Sequence, residues 1–115
     1  MTLSTTVISD RRGQQRHAFH ADATVVLADG RQQLVQTLDI GKGGAAIVAD
    51  FNPAAGSTLM FRVRLPARGK GSVPFESVAQ VVSSILAGHE GGFRVGLQFP
   101  PLNEASLAAL KGLLP

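Results

Sequence analysis

The chain has 115 residues, of which 44% are hydrophobic and 17% charged, and its eleven Lys and Arg against eight Asp and Glu give a formal charge of +3. That composition supports one core and excludes both a second domain of ordinary size and a disordered chain. With no cysteine there is no disulfide, thiolate metal site or cysteine nucleophile, and with six Phe and neither Trp nor Tyr there is little with which to stack the bases of single-stranded nucleic acid.

Residues 1–10 (MTLSTTVISD) lack the basic start and apolar run of a signal peptide, and no stretch of the chain has the roughly 18 apolar residues of a membrane span. They read as a flexible leader to a cytoplasmic protein without membrane insertion. Arg11, Arg12 and Arg16 follow as a basic cluster, which on charge alone is a solvated arm. From Phe19, apolar Phe19, Ala21, Ala23, Val25 and Leu27 alternate with polar residues, the period of a half-buried strand. Asp29-Gly30 supplies a tight turn, so residues 31–40 return antiparallel, with Leu34, Leu38 and Ile40 expected on one face.

Three glycines in four residues, Gly41, Gly43 and Gly44 around Lys42, interrupt the pattern before a short buried strand over 45–49. After the break at Asn52-Pro53, Leu59, Phe61, Val63 and Leu65 alternate with Met60, Arg62 and Arg64, and Pro66 is expected to end that strand. Residues 67–74 read as a polar loop. Residues 75–86 are rich in Val and Ile without clean alternation, which predicts a bulge or cover on both faces. Past the turn at 88–92, Phe93, Val95, Leu97 and Phe99 point one way and Arg94, Gly96 and Gln98 the other. The tail is helical, capped by Asn103, with Leu107, Leu110 and Leu114 as its apolar stripe and an end near Lys111. Six short antiparallel strands and one terminal helix predict a small all-β barrel with a short C-terminal α-helix.

The sequence offers no catalytic pattern. His17, His20 and His89 have no metal-ligand spacing, Gly41-Lys42-Gly43 is not a phosphate-cradling loop before a helix, and the serines occupy no strand-turn-helix elbow. No enzymatic role, metal or cofactor is expected. What remains is a pair of segments: Arg11, Arg12 and Arg16 before the first strand, and Asp39 with Gly41, Gly43 and Gly44 after the second. An antiparallel hairpin places its entry and its exit at the same end, so the two segments are expected to be neighbours. Guanidinium forks suit phosphate oxygens and the O6/N7 edge of guanine, and a carboxylate accepts from guanine N–H groups. Glycines beside the carboxylate let backbone approach a ligand closely. Each residue also has a plainer use, the arginines in solvation, Asp39 and the glycines in turn formation.

These residues resemble the PilZ domain family, whose signature is RxxxR followed, after a hairpin, by (D/N)xSxxG. Arg12 and Arg16 match the first motif with Arg11 preceding it, Asp39 and Gly44 match the ends of the second, and Phe93 to Phe99 (FRVGLQF) is similar to the family's late strand ending Gly-x-x-Phe. The resemblance runs over about residues 11–112, and residues 11–115 are taken as one PilZ-like domain. It implies a six-stranded antiparallel β-barrel that binds cyclic di-GMP and passes occupancy to an effector protein, as a monomer or weak homodimer. By the same resemblance Arg12 and Arg16 grip phosphate and guanine edges, Asp39 reads a guanine edge, Gly41, Gly43 and Gly44 shape the loop, and Arg11 bears on whether one ligand or a stacked pair is held. Gly41 stands where the family has serine, and loss of a hydroxyl contact there weakens binding by about 0.5 to 1.5 kcal/mol. A module that binds only protein, with no cyclic di-GMP, is the alternative that this departure permits. A basic-armed nucleic-acid binder is disfavoured by Asp39 and by the scarcity of aromatic residues.

Overall fold

The computed structural model describes residues 16–69, 71–88 and 91–113. Within them lie seven strands, β1 (Arg16–Ala18), β2 (Asp22–Val26), β3 (Gln32–Gly41), β4 (Gly44–Ala49), β5 (Thr58–Ala67), β6 (Gly71–Leu86) and β7 (Phe93–Gln98), and a helix, α1 (Glu104–Leu113). All pairings are antiparallel, in the order β1-β3-β2-β5-β6-β7-β4, and an additional β3–β4 pairing brings the ends together. Strands β2 to β7 are therefore a ring of six, the barrel that the alternation predicts, and β1 is a seventh strand laid on β3. Composition alone places Arg16 in an arm; the pairing Arg16↔Gly41, His17↔Ile40, Ala18↔Asp39 makes it part of the sheet.

β1 and β2 lie along the same side of β3, separated by a kink at residues 19–21 that Thr37 holds shut. The Thr37 hydroxyl, buried at 1% exposure, donates to the carbonyl oxygen of Phe19 (2.5 Å) and accepts from the Ala21 amide (2.9 Å). The Thr37 amide donates to the Ala21 carbonyl at 2.8 Å, and the Phe19 amide to the Leu38 carbonyl at 3.0 Å. A polar side chain is stable in the core here because it supplies the ladder bonds that the kink removes.

The first hairpin turns at Asp29-Gly30, with Gly30 at φ 90°, a conformation that glycine adopts without a steric penalty. The Arg31 amide donates to Asp29 Oδ1 at 3.0 Å, the largest of the causes that hold the Asp29 carboxyl below the usual carboxylate range. On the returning strand the inward residues are Val35, Thr37 and Ile40, whereas Leu34 is 66% exposed and Leu38 only half-buried. The face expected to hold Leu34, Leu38 and Ile40 together is thus split. Register with β2 pairs Ala23 with Val35 and sends Leu34 outward beside Thr24, and an irregularity between Thr37 and Asp39 then inverts the alternation, so that Ile40 turns in.

The alternation of β5 holds, with Leu59, Phe61, Val63 and Leu65 buried. Pro66 does not end it. The β5–β6 hairpin runs on to Ala67↔Gly71, so most of the segment expected to be loop at 67–74 is strand. Pro66 and Pro74 face Ser72 and Arg64, two equivalent positions of the ladder, and a residue without an N–H fits the class of antiparallel pair that exchanges no hydrogen bond. The irregular pattern of β6 does contain a bulge, between Val81 and Ser83.

Inside the ring, Phe61, Phe75 and Phe99 cluster with ring centroids 5.5 to 6.2 Å apart, the range in which aromatic pairs attract. Helix α1 packs on β5 and β6. Asn103 caps it through Oδ1, which accepts from the Ser106 amide at 2.8 Å. Its buried side is Ser106, Ala109 and Leu110, with Leu113 packed against the core and Leu107 only half-buried. This corrects the expected stripe of Leu107, Leu110 and Leu114, of which Leu114 lies outside the described residues. The Ser106 hydroxyl donates to the Glu76 carbonyl (2.8 Å), which rotates the small-residue side of the helix toward the sheet. Gly112 does not stop the helix near Lys111, because contact with the sheet carries it to Leu113.

Candidate functional site

The bulge on β3 has a chemical consequence. In a regular ladder Asp39 would share the inward side of Val35 and Thr37, burying a carboxylate; the extra residue, Leu38, turns Asp39 to the outer face of the barrel. There its Oδ1 accepts from the Ala46 amide of β4 at 3.2 Å and from Arg16 Nη1 at 3.4 Å. Asp39 is therefore a strand residue that completes a ladder interrupted by its own bulge, not the turn former that local composition allows. The ion pair lies at the surface, its side chains 37% and 27% exposed, so both groups are partly open to solvent.

Of the residues singled out from the sequence, Arg16, Asp39, Gly41 and Gly44 are brought together. Gly41 pairs with Arg16 in the ladder. At Gly44, a Cβ would lie 2.0 Å from the Leu97 carbonyl oxygen and 3.2 Å from Arg16 Nη2, so only glycine allows β4, β7 and the guanidinium to meet there. Gly43 is less directly involved: it occupies the turn, and its carbonyl accepts from the Phe99 amide at 2.9 Å, tying the end of β7 to the loop. Arg11 and Arg12 lie outside the described residues, five and four positions upstream of Arg16 respectively.

The Arg16–Asp39 pair forms one side of a shallow depression of about 250 Å³, whose other lining residues are Ala46, Ser83, Ile85, Arg94, Val95 and Gly96. Its floor follows from strand register. Asp39 of β3 pairs with Ala46 of β4, Ala46 with Gly96 of β7, and Gly96 with Ser83 of β6. The second bulge adds Val82 to β6 and turns Ser83 outward, as the first turns Asp39. A Cβ on Gly96 would meet Ser83 Oγ at 2.6 Å. Two bulges thus frame a single row of small residues, with an acidic group at one end, a hydroxyl at the other and arginines on both sides. Arg94, Ser83 and Gly96 were not singled out as binding residues by the sequence. Their signals are a glycine inside a strand, an arginine on its outward phase, and the broken alternation Val81-Val82-Ser83.

The arrangement is suited to recognition of an anion. It offers planar donors, an acceptor carboxylate and a flat floor. Among the described residues, no helix is long and apolar enough to cross a membrane.

No curated protein matches the chain. Among solved structures, that of the Bacillus subtilis inhibitor of motility (MotI/DgrA) is similar, with a TM-score of 0.74 at 19% identity over 88% of this chain, a likeness of fold. The match spans about half of that protein, 48% of its length. The family model for the PilZ domain matches residues 10–114, nearly the whole chain. The chain belongs to the PilZ domain family, a family of cyclic di-GMP receptor modules rather than enzymes.

Proposed function

We propose that this protein is a cyclic di-GMP receptor that holds its ligand against the outer face of the barrel, over the depression beside Arg16 and Asp39, and signals occupancy to an effector protein. The observation that carries the reading is the 3.4 Å contact between Arg16 of β1 and Asp39 of β3, because it joins the two halves of the family signature at one point. Arg16 donates to phosphate or a guanine O6/N7 edge, and Asp39 accepts from guanine N–H groups. Arg11 and Arg12 close over the ligand from the N-terminal side as its phosphates neutralise them, and the ordered segment, with the ligand edge, forms the surface that the effector reads.

Calorimetric titration with cyclic di-GMP tests the reading. The wild-type protein should bind saturably, and Arg16→Ala should weaken binding by about tenfold to a hundredfold, the worth of one charge-assisted hydrogen-bonded contact. The melting curve of the free variant should shift by less than about 1 kcal/mol equivalent, because a surface ion pair contributes little to stability. Wild-type protein that gives no binding heat would favour the second reading, a PilZ module acting by protein contacts alone, for which Gly41 in place of the motif serine is the specific observation.

A further inference from the structure

The family signature accounts for only the β1–β3 side of the depression. On the opposite side, Arg94 of β7 stands between Val48 of β4 and Ile85 of β6, two residues from Gly96 along the strand. With neighbouring strands about 4.8 Å apart and about 3.4 Å per residue, the Cα atoms of Asp39 and Arg94 are separated by about 12 Å diagonally across the floor. The row of Ala46, Gly96 and Ser83 carries no side chain larger than alanine or serine, so nothing along it obstructs a planar ligand. The Arg16–Asp39 contact holds the carboxylate of the lining at the end away from Arg94.

We infer that Arg94 is a ligand-binding residue of this site, and that it grips the second phosphate of the bound cyclic dinucleotide, on the half of the ligand farther from Asp39. The inference rests on the cyclic di-GMP reading above and extends it. Cyclic di-GMP has two phosphates and two guanines, and a ligand lying across the floor carries its second half away from the edge that Arg16 and Asp39 occupy. Arg16 and Asp39 serve one half, and the cation placed two strands away serves the other. Arg94 suits this because it stands on the outward phase of a strand paired on both sides and carries a planar fork that matches phosphate. Ile85, 62% exposed beside it, supplies an apolar wall in a chain with neither Trp nor Tyr to cover a purine.

The test is titration of cyclic di-GMP into wild-type protein, Arg94→Ala, Arg94→Lys and Arg68→Ala, with thermal melts of each free protein. Arg68 lies on the β5–β6 turn, outside the depression, and controls for net charge. Arg94→Ala should bind about tenfold to a hundredfold more weakly. Arg94→Lys should recover part of the loss, since a point charge replaces a fork, and Arg68→Ala should bind as wild type. The gap between wild type and Arg94→Ala should narrow as salt is raised from 50 to 500 mM, as about a threefold contraction of the screening length requires. Wild-type affinity in Arg94→Ala overturns the inference and leaves the receptor reading intact. An equal loss in Arg68→Ala, or a loss accompanied by a lowered melting temperature that Arg94→Lys restores, also overturns it. Absence of wild-type binding overturns both.

Discussion

At the scale of single residues, Thr37 links the interior to the site. Its hydroxyl closes the kink between β1 and β2, and β1 carries Arg16. Thr37→Val keeps the shape and removes the hydroxyl, leaving the Ala21 amide and the Phe19 carbonyl short of a partner. The expected cost is about 1 to 3 kcal/mol in urea denaturation, with cyclic di-GMP affinity falling as Arg16 loses its fixed position. Unchanged stability would mean that water takes over both bonds. The threonine also shows where a sequence stops being readable. Leu34 and Leu38 outrank Thr37 in hydrophobicity, so a stripe drawn by hydrophobicity selects the wrong face; what decides is a hydrogen bond to a kink that no local pattern announces. Arg16 and Asp39, by contrast, could be placed together from the hairpin alone, because antiparallel pairing fixes which ends meet.

At the scale of elements, alternation located the strands and misplaced some of their ends. The β5–β6 hairpin outruns its expected length because Ser72, Val73 and Pro74, polar or turn-favouring in isolation, pair with Pro66, Leu65 and Arg64, and because Arg64 Nη2 holds the Ser72 carbonyl at 3.0 Å. Cross-strand partners here override residue preference. The second arginine of the first signature motif is a strand residue of β1. The helix is legible in its cap, where Asn103 acts as expected, and illegible in its facing, since Ser106 and Ala109 are buried while Leu107 is only half-buried. Small residues allow a close approach to the sheet that a leucine count does not anticipate.

At the scale of the whole molecule, a six-strand ring around three phenylalanines carries the candidate site on its outer wall, and α1 secures the ring from another side through Leu110, which is fully buried. Leu110→Ala should cost about 2 to 5 kcal/mol by urea denaturation, as expected for a buried leucine truncated to alanine. At temperatures where the variant remains folded, its ligand affinity should match that of wild type, because α1 contributes nothing to the lining of the depression. A parallel loss of affinity would mean that the helix and the site are mechanically connected. The family and the barrel were readable because they depend on spacing and period. The depression was only half readable because it is assembled from four strands whose alignment is a property of the closed sheet.

The two surplus residues, Leu38 and Val82, give this barrel an unusual tolerance to shortening. Excising most single residues from a strand reverses the sense of everything after it and turns the core outward. Excising Val82 would instead restore an uninterrupted pleat, leaving Val81 inside, Ser83 outside and the rest of β6 facing as before. A Val82-deleted protein should therefore fold, with a wild-type circular dichroism spectrum, while the relaxed twist of β6 moves Ser83 and Ile85 relative to Arg94 and alters cyclic di-GMP affinity. Under the receptor reading, dropping one codon would thus remodel the proposed site and leave the scaffold intact.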